Sequence, residues 1–517
     1  MVVFEAVLVL LVIAVVLSML ARKLNVPYPA FLALVGAALA LAPIAPPFPL
    51  DPTLALALFV APVLLDAAYD TSVRDLMADW LPVGSMVLFA VGLTTAVVAW
   101  IARTLAPDLS WPAAIALGAI VAPPDAAAAT AVLRQLNPPH RVVVILEGES
   151  LLNDASALLI YRLAVGAAMT HAPFDRSVVA PAFLLSVAGS LIAGPVLAKL
   201  MMWLTRDLRD APSSIVLQFV ATFGVWILAE RLGMSPILAV VAYGMTISRF
   251  APSRMPAAMR IPSYAVWETA VLVLNAVAFV LIGLQLRPIL VTAPPGELPH
   301  WLAFAGAALV GVIGMRIAWV QAHGLLIRLL RGRRTPLSPE LSSAMAKGQT
   351  VVSWCGMRGI VTLATAMALP EQFPHRGLLL FTAFGVTLGT LVLQGLTLRP
   401  LMLWLDLHDD RPVEREVRVA RHALAKAALL AIRDEPGAEA ETLRREFEAD
   451  QAATLEEERG ATRVMQPTQL LRRRTLEPRR AKLLQLRKER LIGDNAFHHL
   501  EAELDYAELA SSIHTET

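Results

Sequence analysis

Long apolar stretches, separated by short polar breaks, fill most of the chain. Stretches able to cross about 30 Å of hydrocarbon lie at 2–20, 27–43, 54–69, 80–105, 111–133, 142–170, 177–203, 214–231, 234–249, 264–286, 301–329, 344–369 and 376–404. The pattern predicts an all-α polytopic membrane protein with about thirteen transmembrane helices. After Leu405 it changes. Leu470, Leu471, Leu483, Leu484, Leu486 and Leu491 recur among Arg472, Arg473, Arg474, Arg479, Arg480, Arg487 and Arg490 at helical spacing. Two regions follow: a membrane domain at 1–405 and a charged helical tail at 406–517. The tail reads as a solvated helical pair, or as a regulatory or membrane-surface module using its Arg-rich stretch.

Composition agrees with that division. Of 517 residues, 57% are hydrophobic and 17% charged, against about a quarter charged in an average soluble domain; the mean hydropathy is +0.62. A water-soluble globule of this length cannot hide so much apolar surface, so the lipid bilayer is the better solvent. About half of the charged residues follow Leu405. A formal net charge of +2 excludes a strongly basic nucleic-acid binder. A single cysteine, Cys355, excludes an intramolecular disulfide framework, and zinc-type Cys/His spacings are absent.

Basic residues set the expected sidedness, because basic loops stay cytoplasmic. Arg22 and Lys23 follow the first segment, Arg74 the third, Arg134 and Arg141 the fifth, and Arg206 and Arg209 the seventh. Arg249, Arg254 and Arg260 follow the ninth, and Arg328, Arg331, Arg333 and Arg334 the eleventh. Thirteen crossings with the N-terminus outside then put the tail in the cytoplasm. The first segment lacks the basic start and small-residue cleavage site of a signal peptide.

Charged residues inside lipid cost several kcal/mol unless they line a pathway or find a partner. The exceptions here are Asp66, Asp125, Glu147, Glu149, Asn153, Asp154, Arg162, Glu268, Arg316 and Arg358. Three of the acids sit in EGESLLND, 147–154. On a helix Glu149 and Asn153 are i,i+4, as are Ser150 and Asp154, and the two pairs lie about 100° apart. One pair can face a partner helix while the other faces a cavity. A desolvated carboxylic acid holds its proton, and a nearby cation competes with that proton. One carboxylate with two mutually exclusive ligands is the chemistry of an exchanger. The plainer reading is a set of acids capping a frayed cytoplasmic helix end.

Two segments carry interruptions. In APPDAAAAT, Pro123 and Pro124 break the helix just before Asp125. In CGMRGIVT, Gly356 and Gly359 flank Arg358. Broken helices at corresponding positions of two halves point to an inverted-repeat transporter with its site at the membrane midplane. Arg316, in GMRIAWV, needs an anionic partner in lipid. Glu149 is the expected one, which leaves Asp154 for the cation.

These residues carry a family likeness. EGESLLNDASAL resembles the E-S-x-x-N-D motif of the monovalent cation:proton antiporters, the family of bacterial NhaP-type proteins and animal sodium/proton exchangers. The Asp125 segment resembles that family's T-D-x-x-A motif, WCGMRGIVTLATAMALP its G-x-R-G-A-V-x-L-A stretch, and LVLQGLTLRPLM its final Q-G-x-T helix. The charged tail is similar to that of long bacterial members. The resemblance implies a thirteen-helix fold, usually dimeric, with a scaffold of helices 1–3 and 8–10 beside a core of helices 4–6 and 11–13, where broken helices 5 and 12 cross. It implies that Asp154 binds the cation and exchanges the proton, that Asp125 and Ser150 line the site, and that Glu149 pairs with Arg316. Asn153 stands where electrogenic relatives carry a second Asp, which implies one-for-one, electroneutral exchange of Na⁺, K⁺ or Li⁺ for H⁺. Two positions depart from the pattern. Pro124 replaces a usual Thr, removing a hydroxyl ligand, and Asp66, in VLLDAAYD, replaces a common Glu.

The expected activity is secondary-active cation/proton antiport in the cell (inner) membrane, serving pH and cation homeostasis. It needs no cofactor and no covalent chemistry, so the protein is not expected to be an enzyme. Two alternatives are a cation channel lined by Asp66, Asp125 and Asp154, and a sensor whose tail binds a nucleotide or protein. The tail has no Gly-rich phosphate loop, which weakens the nucleotide version.

Overall fold

The computed structural model describes residues 2–42, 51–133, 138–170, 176–251, 255–332, 339–407, 412–458, 467–489, 500 and 503–508. Arg134, Arg254, Arg333 and Arg334, used above for sidedness, lie outside the described residues, as do Arg490 and Leu491 of the tail. The chain divides into two compact units, Met1–Asp409 and Asp410–Thr517.

The regular secondary structure of the first unit is all helical among its described residues. It opens with α1 (Val2–Lys23) and α2 (Tyr28–Ala40). The third apolar stretch, expected as one plain helix, is α3 (Pro52–Ala55), a π turn at Leu56–Val60 and α4 (Ala61–Asp70). Then come a short α5 (Val73–Ala78), α6 (Trp80–Ser85), a second π turn at Met86–Ala90 and α7 (Val91–Leu105). Such wide turns leave a carbonyl for another element to use, and Ser156 of a later helix donates to the Val87 carbonyl at 3.2 Å. The Pro123–Pro124 pair splits the next stretch into α8 (Trp111–Val121) and α9 (Ala126–Leu133). Next are α10 (His140–Thr170), α11 (Arg176–Leu204), α12 (Ala211–Arg231), α13 (Pro236–Phe250), α14 (Ala257–Leu284) and the short α15 (Leu286–Val291). The last part holds α16 (Leu298–Gly332), the broken pair α17 (Pro339–Trp354) and α18 (Ile360–Met367), and α19 (Arg376–Leu405).

Polar caps start several of these helices. Asp51, Ser72, Ser110, Asp210 and Ser235 each accept a backbone N–H three residues on. Among the described residues, seven helical runs are long and apolar enough to cross a bilayer, and α2, α8 and α13 are shorter apolar helices.

Packing sorts the helices into two groups. α2 lies tightly along α14, and α11 along α13, which also packs on α4. Gly36 and Gly283 make the first approach possible, because a β-carbon on either would overlap backbone of the other helix. In the other group α7 packs on α8, α8 on α10, and α16 on both α7 and α19. The partition expected from the resemblance left the seventh segment unplaced; as α11 it packs with the first group.

In the second unit α20 (Pro412–Ala431) packs against α21 (Ala438–Glu458), and Arg444 donates to the Ile432 and Arg433 carbonyls at 3.1 Å. In α22 (Pro467–Lys488) Leu476 and Leu483 form a small buried cluster with Leu504, while Leu484 is exposed. Arg480 pairs with Asp505 and Glu508.

Candidate functional site

The two helix breaks meet. The backbone N–H of Asp125, in the gap between α8 and α9, donates to the Met357 carbonyl in the gap between α17 and α18, at 2.6 Å. Each gap frees backbone groups that lipid would leave unpaired, and each supplies what the other lacks. Gly359 lets the two breaks approach closely, since a β-carbon at that position would overlap the Asp125 carboxylate as it is placed.

Arg358 closes the crossing from the other side. It is almost fully buried. Its Nε donates to the Val121 carbonyl at 2.9 Å and its Nη2 to the Ala122 carbonyl at 3.0 Å. Its Nη1 donates to the Gly356 carbonyl, and its own backbone N–H to Thr390 Oγ1 at 3.0 Å. The guanidinium thus sits at the C-terminal end of the half-helix α8, where the helix dipole is negative. From sequence Arg358 was a site candidate without a stated partner; the partners are backbone carbonyls, which no side-chain motif announces.

Helix α10 presents its polar residues in two directions. Ser150 and Asp154 face a cavity of about 410 Å³. Glu149 and Asn153 point elsewhere and are buried. Arg316 of α16 grips the Glu149 carboxylate with both terminal nitrogens and also donates to the Val352 carbonyl at 3.1 Å. Asn153 is not part of the cavity lining. Its Nδ2 donates to the Pro124 carbonyl at 3.4 Å, so the proline that removes a hydroxyl leaves a carbonyl that the neighbouring helix takes up.

The cavity brings together Asp66, Asp125, Ser150 and Asp154 from the expected set. It also collects Asp70, Glu147, Glu268, Thr130 and Asn275. Glu147 and Glu268 stood out from sequence as intramembrane acids without a role, whereas Asp70 and Asn275 carried only the weaker signal of a polar residue at a helix end or mid-span. One basic residue, Arg22 at the end of α1, lies on the lining among six acids. A cleft of one charge sign between low-dielectric walls concentrates counter-ions. Arg162, for which the sequence suggested no role, is exposed.

Outside the spans, α5 is tied to the start of α10. Asp75 meets His140 at 3.2 Å and Asp79 meets Arg141 at 2.6 Å. Desolvation acts to raise the Asp75 pKa, but hydrogen bonds from His140, Arg74 and Ser72 together outweigh it and hold the carboxyl below its usual range.

Comparison with known proteins shows the family and the fold. The profile of the family described as "Sodium/hydrogen exchanger, transmembrane" matches residues 8–404. An uncharacterised Na⁺/H⁺ exchanger of Mycobacterium tuberculosis is 30% identical over 527 aligned residues, covering 97% of this chain and 95% of that one. A sodium, potassium, lithium and rubidium/H⁺ antiporter of Bacillus pumilus is 29% identical over 74% of this chain and 59% of its own length. The fold is that of the sodium proton antiporter MjNhaP1 from Methanocaldococcus jannaschii, with a TM-score of 0.59 at 18% identity over 76% of this chain and all of that one. With one profile spanning nearly the whole first unit and a relative aligned end to end, this multi-pass membrane protein belongs to the sodium/hydrogen exchanger family.

Proposed function

We propose that this protein is a secondary-active antiporter that exchanges a monovalent cation, Na⁺ with K⁺ and Li⁺ as alternatives, for H⁺ by alternating access. One observation carries the reading: Asp154 stands in an acid-lined cavity beside the crossed helix breaks, while Glu149, which points another way from the same helix, is held by Arg316. Asp154 and Asp125 form the ion site, with Ser150 and Asp66 on its wall. Asn153 donates to the Pro124 carbonyl of the helix break, and because it stands where electrogenic members of the resembled family carry a second Asp, exchange is electroneutral. The first unit crosses the inner membrane thirteen times with its N-terminus outside, and the second unit is a cytoplasmic tail. Arg22 on the lining supports a cytoplasmic mouth, since basic positions mark that side. The functional assembly is a homodimer in the bilayer, as is usual for the family that the sequence resembles.

The test is dequenching of a pH-sensitive dye in everted vesicles, with Na⁺, K⁺ and Li⁺ added in turn. Antiport predicts cation-dependent dequenching that persists when the membrane potential is clamped to zero. Cation flux without proton counterflow would instead make the protein a channel.

A further inference from the structure

A second cavity, of about 400 Å³, lies beside the ion cavity and shares with it only Asp66, Asp70 and Glu268. Its volume is within the range that takes drug-sized ligands, roughly 300–1,000 Å³. Neither Asp125 nor Asp154 lines it, and Tyr69, Tyr243, Tyr264, Trp267 and three methionines stand on its walls. We infer that it binds an organic monocation with an apolar body, such as a lipophilic ammonium or phosphonium, and that an occupant there obstructs entry to the ion cavity. The inference rests on the cation/proton reading above for its consequence, though not for the binding itself.

The aromatic wall is built rigidly. Trp267 stacks on Phe219 with centroids 4.3 Å apart and donates from Nε1 to Gln218 Oε1 at 2.7 Å. Gln218 Nε2 is in turn shared between the Ser214 and Ser263 hydroxyls, at 3.3 Å each. The Tyr69 and Tyr264 hydroxyls meet at 3.0 Å with their rings edge-on, 5.9 Å apart. Such locked faces lose little freedom on binding, and a cation over an aromatic face is attracted by the negative face of the ring. Met201, Met202 and Met255 supply an adaptable opposite surface.

Charge selects the sign. Three acids and one base, Arg260, line this cavity, which disfavours the phosphate of a lipid headgroup. Tyr264 and Ile261 are about half exposed on the apolar outer face of α14, so an amphiphile dissolved in the bilayer can reach it.

Tetraphenylphosphonium and tetraphenylborate share size and shape and differ in sign, which makes them the decisive probes. Equilibrium dialysis with purified full-length protein in detergent reads binding without transport. The phosphonium should bind at least tenfold more tightly than the borate and should slow exchange in proteoliposomes. Tyr264→Ala should weaken binding about tenfold while leaving exchange without probe unchanged, and Glu268→Gln should weaken it severalfold. Asp154→Asn, which disables the ion site, should bind the probe like the wild type. Equal binding of the two probes would mean a plain lipid crevice and overturn the inference. Loss of binding in Asp154→Asn, or none in Tyr264→Ala, would overturn it too by moving the probe to another place. If the probe binds as expected but no cation drives proton movement, the antiport reading fails and the binding site stands.

Discussion

The Arg316 guanidinium holds both oxygens of the Glu149 carboxylate, with Nη1 at 2.5 Å and Nη2 at 2.8 Å, and neither residue is more than 2% exposed. Removing one partner of a buried pair strands the other charge, at about 3–5 kcal/mol. Glu149→Gln should therefore lower the melting temperature in detergent by many degrees. The double change with Arg316→Gln should recover part of that loss, because no buried charge then remains. Additive losses in the thermal scans would mean that the two side chains are not energetically coupled.

Asp154→Asn should abolish cation-dependent dye dequenching and leave the protein assembled and thermally stable. The side chain keeps its shape and loses only the titratable proton. Wild-type dequenching at matched expression would remove Asp154 from the ion site.

Gly359→Ala should cut exchange at least tenfold. The new methyl group must displace the Asp125 carboxylate or push the two helix breaks apart. Gly306→Ala in α16 is the control, because a β-carbon there meets nothing within 4 Å, and Ala is the better helix former by up to about 1 kcal/mol. Equal activity in both variants would show that the close approach at Gly359 has no functional weight.

Asn153→Asp should also lower exchange. The amide that donates to the Pro124 carbonyl is replaced by a carboxylate, which when ionised can only accept. The loss should be greatest at high pH, and a pH profile identical to that of the wild type would separate position 153 from the site.

The clamp between α5 and α10 makes a prediction about acid. The Asp75 carboxyl is held below its ordinary value of 3.8. A lowered acid stabilises the fold fully above the unfolded value, and the contribution disappears as pH falls through the folded one. The difference in melting temperature between wild type and Asp75→Asn should thus persist from about pH 8 to 5 and shrink only below about 4. A difference that vanished near pH 6 would mean that the fold raises the Asp75 carboxyl instead of lowering it.

The sequence by itself determined the membrane class, the helical segments and the identity of the costly residues. It could do so because lipid penalises every unpaired polar group, so each acid or arginine within an apolar stretch is conspicuous without any coordinates. Pro123 and Pro124 likewise announced a helix break, since proline lacks the donor that a helix needs. The i,i+4 spacing on 147–154 also separated Glu149 and Asn153 from Ser150 and Asp154, because helical geometry is local. Only the tertiary structure decided what those residues meet. That Arg358 binds the carbonyls of Val121 and Ala122, that Asn153 donates to Pro124, and that Glu268 on α14 shares a cavity with Asp154 on α10 all depend on elements more than 20 residues apart. Backbone carbonyls are the same at every position, so a partner made of them leaves no mark in the sequence. The π turns at 56–60 and 86–90 were equally silent; a residue's preference for a wide turn is weak, and a neighbour such as Ser156, arriving through packing, takes up the carbonyl it leaves.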